Sequence, residues 1–456
     1  MKRLHIPGVS PSRLGSLGVF LIILSAAGLV AGSAWLSLQF IIDPKSVVWM
    51  NRYLPEGAKI PLSAWDDPKT MAEIQAELRR NGLTVGNSIR VESSTKLANQ
   101  TVDMLLPIFR RQANCLDDCD RLKEVRVYRT VLNPTPQKKE ALQFINILEI
   151  NELEESFVLD PLANAGVATV GSDRKLPYLT VERYEDRAPS QGVWLNLSGK
   201  LRQGDFNVAY GSVVYYNPVS TSIGGLISWT SPPGQTPTWQ SVPKGRALEL
   251  LVNQTVALEP DFLVYQFIPR PSEAAPFQLK PISLNKPAIE NSTFEDALFL
   301  ARNGLWSPAL EIMQSVKRRH IQDWTATAQA QVDLVARHAQ ITKAQADQPS
   351  ASASQQVLVN LIDGRWTKAT KVFQTSTDDR DEVLDLLKFD SGQLQKRINA
   401  ALQLNAARTE VQTWAALRIA AKQGKADAIA WLKKQPYDDY NSHVQILKLL
   451  NQLDPS

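Results

Sequence analysis

The chain is poor in histidine and nearly free of cysteine, and the familiar clusters that carry chemistry are missing with them. Its four histidines, His5, His320, His338 and His443, form no HExxH pair, the spacing that places two imidazoles on one helix face for zinc. No GxxxxGK[ST] loop is present to cradle phosphates, and no GxSxG elbow to present a nucleophilic serine. SxxK matches occur, among them Ser172–Lys175 and Ser241–Lys244, without the KTG strand that such a serine needs. Asp117, Asp118 and Asp120 lack the spacing of a calcium-binding loop and read as a solvated turn. No catalytic, cofactor-binding or metal-binding residue is therefore assigned.

A strong charge of either sign is lacking too. The net charge of +4 comes from 50 basic and 46 acidic residues, a balance that argues against a nucleic-acid partner. The one compact basic cluster, Lys317-Arg318-Arg319-His320, reads as a solvated helix face. The two cysteines, Cys115 and Cys119, have no second pair to complete a zinc site. In an oxidising compartment they predict a small disulfide loop, and in the cytosol two free thiols. Four Asn-x-Ser/Thr triplets, at Asn99, Asn196, Asn253 and Asn291, matter only in a host that glycosylates proteins.

What is present begins with Leu14–Ile42, LGSLGVFLIILSAAGLVAGSAWLSLQFII, which holds no charged residue. About 20 mostly apolar residues suffice to cross a bilayer as a helix, so 14–42 is predicted to be a transmembrane segment in contact with lipid. Residues 1–13 carry Lys2, Arg3 and Arg13 and no acid. A short basic tail stays in the cytoplasm, which sends the remainder across as the extracytoplasmic bulk of a single-pass protein. A cleaved signal peptide ending at Gly32-Ser33-Ala34 is the competing reading. The apolar run continues through Trp35, Leu36, Leu38, Phe40, Ile41 and Ile42, and this favours a retained anchor.

Beyond the anchor the pattern predicts a multidomain α+β chain. Residues 43–63, with Pro44, Pro55 and Pro61, read as a juxtamembrane linker whose Trp49 and Tyr53 suit the membrane interface. Residues 64–165 read as a small α+β domain. It has a helix from Asp67-Pro68 to Asn81-Gly82 and a second over Lys96–Arg111, whose Val102, Leu105, Leu106 and Phe109 keep helical spacing. Glu124–Arg129, Phe144–Ile150 and Phe157–Leu159 read as its strands. Six β-rich runs over 175–270, separated by turn residues, predict an antiparallel sandwich-like domain. Within it Trp229 and Trp239 flank a proline loop. They form either an apolar platform for sugar rings or proline-rich peptides, or part of the core. Residues 271–291, punctuated by Pro271, Pro276, Pro281 and Pro287, read as a linker and domain boundary.

From 292 to 456 the pattern is helical and carries a repeat. Gly304, Gly364 and Gly424 lie 60 residues apart, each between two helical segments. The units read ALFLARNGLWSPAL (Ala297–Leu310), VLVNLIDGRWTKAT (Val357–Thr370) and LRIAAKQGKADAIA (Leu417–Ala430). Ala297, Val357 and Leu417 match before the glycine, and Trp306 and Trp366 match after it, where the third unit has Ala426. Leu334 and Arg337 fall 60 residues before Leu394 and Arg397. Glycine supplies a left-handed turn between paired helices, with the tryptophans wedged between them. The stretch resembles tetratricopeptide-like helical hairpins, although its period is 60 rather than about 34 and the family's full consensus is absent. An ordinary helical bundle with coincident glycines is the other reading. Ala344–Gln356 reads as a loop interrupting the array.

YGSVVYYNP (Tyr210–Pro218) and SWTSPPGQTPTWQ (Ser228–Gln240) resemble segments of uncharacterised single-span membrane proteins of photosynthetic bacteria. That resemblance brings no activity. It implies a bacterial plasma or thylakoid membrane, and so a periplasmic or lumenal location for the domains. The expected function is a non-catalytic, membrane-anchored scaffold or assembly factor that presents extracytoplasmic domains to other membrane or envelope proteins. An envelope glycan-binding module and an enzyme with a site of scattered residues are the alternatives.

Overall fold

The computed structural model describes residues 67–92, 102–112, 119–131, 141–168, 170–185, 187–242, 246–269, 277–350, 352–376, 380–436, 440–451 and 453, together with Trp35. Apart from Trp35, the segment 14–42 lies outside them, as do the linker 43–63 and Cys115. Among the described residues no helix is long and apolar enough to cross a membrane. The chain divides into two compact units, Met1–Arg110 with Lys123–Glu149, and Arg111–Leu122 with Ile150–Ser456.

In the first unit, α1 (Met71–Arg80) begins on a capping box three residues after the predicted start. The Thr70 hydroxyl accepts from the Glu73 amide, and the Glu73 carboxylate accepts from the Thr70 amide at 2.7 Å. Ile74 and Leu78 bury the inner face of α1. They pack on strands β1 (Leu83–Val85), β3 (Val102–Arg111), β4 (Asp120–Val131) and β5 (Ala141–Glu149), which β2 (Ile89–Glu92) joins. These strands form one sheet, ordered β1-β3-β4-β5 with β2 on the same edge of β3 as β1. The helix expected over Lys96–Arg111 is a correction, because β3 occupies its second half. Asp103–Ile108 is buried without interruption, and a short apolar run of that kind fits either period. Pro107 decides against the helix, since it removes an internal donor and clashes with the preceding turn. It falls between the residues paired with β2 and those paired with β1, and its carbonyl accepts from the Gly86 amide at 2.8 Å.

The second unit opens with β6 (Leu153–Glu154), α2 (Glu155–Asn164) and β7 (Lys175–Leu176). The expected strand Phe157–Leu159 is therefore helical, with Val158, Leu159 and Leu162 buried. Next come β8 (Thr180–Arg183), β9 (Val193–Gln203), β10 (Phe206–Asn217) and β11 (Ser222–Ser231), an antiparallel meander of four strands. A second four-stranded meander holds β12 (Thr238–Val242), β13 (Arg246–Asn253), β14 (Phe262–Pro269) and β15 (Phe277–Pro281). The two sheets close on one aromatic core in which Trp194 lies 4.8 Å from both Trp239 and Phe277. Strand β15 comes from the stretch read as a linker, and its Phe277 and Leu279 are core residues.

Ten helices follow among the described residues: α3 (Ser292–Arg302), α4 (Trp306–Arg319), α5 (Ala326–Asp347), α6 (Ala353–Ile362), α7 (Trp366–Thr375), α8 (Arg380–Phe389), α9 (Gln393–Leu404), α10 (Thr409–Gln423), α11 (Lys425–Leu432) and α12 (Tyr440–Asn451). They share one core from Phe294 to Leu450. The loop expected over Ala344–Gln356 is shortened at both ends, since α5 runs to Asp347 and α6 begins at Ala353, on buried Ala346 and Ser354.

Candidate functional site

The three glycines at 60-residue spacing all have positive φ, +79° at Gly304, +76° at Gly364 and +101° at Gly424. The first two end their helices alike. The Leu305 amide donates to Leu300 O at 3.0 Å and the Arg365 amide to Asn360 O at 2.8 Å, the six-residue bond that closes a left-handed cap. Gly424 is the single residue between α10 and α11, with an extended ψ of 161°. Trp306 and Trp366 each begin the following helix; Trp366 is buried and Trp306 half-buried.

Successive turns touch. A Cβ built on Gly364 would stand 2.8 Å from Pro308 Cγ, in the first turn of α4. Beside that contact Asp363, 2 % exposed, gathers three donors. Its Oδ1 accepts from Ser307 Oγ at 2.5 Å and Thr342 Oγ1 at 2.6 Å, and its Oδ2 from Arg365 Nε at 2.6 Å. One carboxylate thereby staples the start of α4, the C-terminal part of α5 and the end of α6.

Around this staple opens a cleft of about 1250 Å³. Its walls come from α4, α5, the α6–α7 turn, α9 and the start of α10. They mix apolar groups such as Leu310, Ile312 and Leu404 with ion pairs, Arg365 on Asp347 at 2.5 Å and Arg408 on Glu410 at 2.7 Å. The hydrogen bond from Arg365 pulls the Asp347 carboxyl below its ordinary range, and the same contact raises Arg365. Both shifts hold the groups in their charged forms, the reverse of what a general acid or base tuned near neutrality requires.

The helices are fastened to the sandwich on another side of α5. His338, 1 % exposed, has Nδ1 2.8 Å from Leu334 O and Nε2 3.0 Å from the Phe262 amide in β14. A carbonyl only accepts and an amide N–H only donates, so the ring is neutral with its proton on Nδ1. Burial pulls its pKa down to about 4. The ring stacks on Trp306 at 3.9 Å and meets Phe262 edge-on at 5.1 Å. Arg337 donates to Gln240 at 2.9 Å, and Gln331 donates to the carbonyls of Ser283 and Lys286, both at 2.7 Å. Arg397 of α9 takes Glu259 in a two-pronged grip. Gln240 also begins a polar row across the second sheet, Gln240–Glu249–Gln266–Lys280, in which burial raises the pKa of Glu249.

The residues singled out from sequence are scattered by comparison. Trp229 and Trp239 are buried in the sandwich core at 1 % and 3 % exposure, so their rings face neighbouring side chains, with Trp229 Nε1 donating to Asn196 at 3.1 Å. Cys119 is disulfide-bonded, and its carbonyl accepts from the Gln112 amide at 2.8 Å. Ser172 and Lys175 point to different carboxylates, Glu155 at 2.6 Å and Glu154 at 2.7 Å. Among the described residues no group of His, Cys, Asp and Glu is arranged to hold a metal ion. Asp363, His338 and Glu259 were not singled out. Beside the local partners Arg365 of Asp363 and Leu334 of His338, the partners that define them lie 21 to 138 residues away, beyond any local pattern. The arginines did leave a trace, in the spacing of Arg337 and Arg397. Compared with family models, curated proteins and solved structures, the chain matches none of them.

Proposed function

We propose that this chain is a non-catalytic, membrane-anchored scaffold whose helical array holds a segment of a partner protein in the cleft beside Asp363. The observation that carries the reading is the size and lining of that cleft. At about 1250 Å³ it exceeds the ~300–1,000 Å³ of ordinary small-molecule sites, and it is lined by both ion pairs and apolar groups. A stretch of polypeptide offers the matching mix of polar and apolar groups. Paired helices joined at Gly304 and Gly364, with turns in contact, give the tetratricopeptide-like comparison its physical sense, since stacked hairpins present one concave face. The anchor at 14–42, the cytoplasmic 1–13 tail and an extracytoplasmic bulk in periplasm or thylakoid lumen belong to the same proposal. With both tryptophan rings buried, the glycan-binding alternative has no exposed platform to rest on.

The test uses the full chain in its own membranes, with a photo-reactive amino acid at Leu404 in the cleft and, as control, at exposed Arg318. Discrete protein adducts from position 404 alone are expected. Identical patterns from both positions, or adducts to lipid alone, would sink the proposal.

A further inference from the structure

We infer that His338 is an acid-operated latch on the cleft, switching its hydrogen bond from the Phe262 amide to the neighbouring Asp261 carboxylate. The inference rests on the reading of the cleft as a binding site. In the neutral ring, Nε2 accepts from the Phe262 N–H at 3.0 Å. Asp261 Oδ1 lies 4.0 Å from the same nitrogen. A proton on Nε2 sets two donors against each other, so the bond that joins α5 to β14 becomes repulsive. The next acceptor is one residue back along the chain. Reaching it means closing 4.0 Å to the ~2.8 Å of a charge-assisted bond, a short swing of ring and carboxylate. The ring thus has two hydrogen-bonded positions and a proton that chooses between them.

Both positions bear on the cleft. The ring stacks on Trp306, and the next two residues, Ser307 and Pro308, form cleft wall. Ser307 is itself tied to Asp363. Helix α5 carries His338 toward the sheet and presents Ala339, Gln340 and Lys343 to the cleft. A displacement of the ring therefore acts on two walls at once.

The charged surroundings fit a switch in mildly acid solution. On α5, Arg337 opposes a second positive charge, and Asp333 lies one turn before it. On β13, Glu249 feels both of these residues. The turn before β14 supplies Glu259, which Arg397 of α9 already occupies, and then Asp261. Helix α4 and strand β14 face the ring with the uncharged Trp306 and Phe262. Asp261 is the carboxylate placed to receive the proton's charge. Burial, with Arg337, holds the ring down to about 4, and capture by Asp261, whose own carboxyl burial pushes up, favours protonation earlier, toward the ordinary 6.5.

Nitroxide labels on Gln340→Cys and Leu404→Cys, both exposed on cleft walls, measure the opening without needing an occupant. In full chain reconstituted in membranes, the interspin distance should shift by several ångströms between pH 7.5 and pH 4.5. His338→Gln should abolish the shift, and Asp261→Asn should lower its midpoint by about one unit. An unchanged distance, the same shift in His338→Gln, or an unmoved midpoint in Asp261→Asn overturns the latch. The last of these serves even if His338→Gln fails to fold. Photo-capture at Leu404 reports separately on the binding reading. A distance shift without capture supports the latch and removes the scaffold, whereas capture without a shift overturns the latch alone.

Discussion

Arg397, 3 % exposed, holds the Glu259 carboxylate with both terminal nitrogens while its Nε donates to Gly304 O at 3.3 Å. One side chain of α9 thus joins a sandwich turn to the first glycine turn of the helices. Sixty residues earlier Arg337 reaches the same sandwich through Gln240. Two arginines related by the repeat spacing both reach the β layer. The helical part is joined to the sandwich by a polar seam of residues from both.

Breaking that seam at Glu259 should be costly. Glu259→Gln keeps the shape and removes the charge, leaving a buried guanidinium without its counter-ion. Loss of one partner of a buried pair costs about 3–5 kcal/mol, and the lower end applies because Glu259 is a third exposed. Urea unfolding followed by tryptophan fluorescence measures it. An unchanged midpoint would mean that apolar contacts alone hold the joint.

The glycine turns should respond unequally. At Gly424 a Cβ meets nothing within 4 Å, so Gly424→Ala should cost only the strain of a φ of +101° with ψ at 161°, ~1–3 kcal/mol. At Gly364 a positive-φ strain of similar size is joined by a contact at 2.8 Å with Pro308 and one at 3.3 Å with Leu305. Gly364→Ala should therefore cost ~1–3 kcal/mol more, and Gly364→Val more again. Equal melting temperatures for the two alanine variants would deny that successive turns press on one another.

How far the fold could be read in advance follows from the range of the forces that set it. Alternation along Glu124–Arg129 and helical spacing along Met71–Leu78 are local, and both segments form as expected. The long continuous burial of Asp103–Ile108 erases periodicity, and there the reading failed at Pro107. Phe277–Pro281 looked like linker because its prolines suppress a strand signal, yet its register is supplied by β14. The candidate site was legible only as a spacing. Gly304, Gly364, Arg337 and Arg397 marked it, while Asp363 and His338 are defined by partners from other helices and from β14.

Acid should weaken the protein through His338. Its folded pKa of about 4 lies below the ordinary 6.5, so the unfolded chain binds the proton more readily. The stabilisation is full above pH 6.5 and is lost as pH falls toward 4. A difference of about 2.5 units corresponds to ~3 kcal/mol. Chemical denaturation at pH 7 and pH 4 should show that loss, and His338→Gln should remove its share. Asp261→Asn should deepen the loss, because the displaced ring then has no carboxylate to receive it.

The thiols report on the compartment. Cys119 is disulfide-bonded and the chain's other cysteine is Cys115. Protein denatured directly from native membranes should take up no thiol reagent until it is reduced. Two reactive thiols without reduction would place these domains on the cytoplasmic side and reverse the proposed topology.

Asp363 offers the sharpest separation of structure from binding. Its carboxylate accepts from Ser307, Thr342 and Arg365, so Asp363→Ala strands two hydroxyl donors, and a loss of ~3 kcal/mol is expected. Asp363→Asn keeps the volume and one acceptor oxygen and should cost about half as much. The two variants should differ in the cleft as well. Arg365 retains Asp347, at 2.5 Å, in both. With asparagine the start of α4 stays tied to α6, whereas with alanine Ser307 is released and the wall it carries can drift. Photo-capture at Leu404 should therefore survive Asp363→Asn and fail in Asp363→Ala at temperatures where both remain folded. Equal capture by the two would show that the staple serves stability alone.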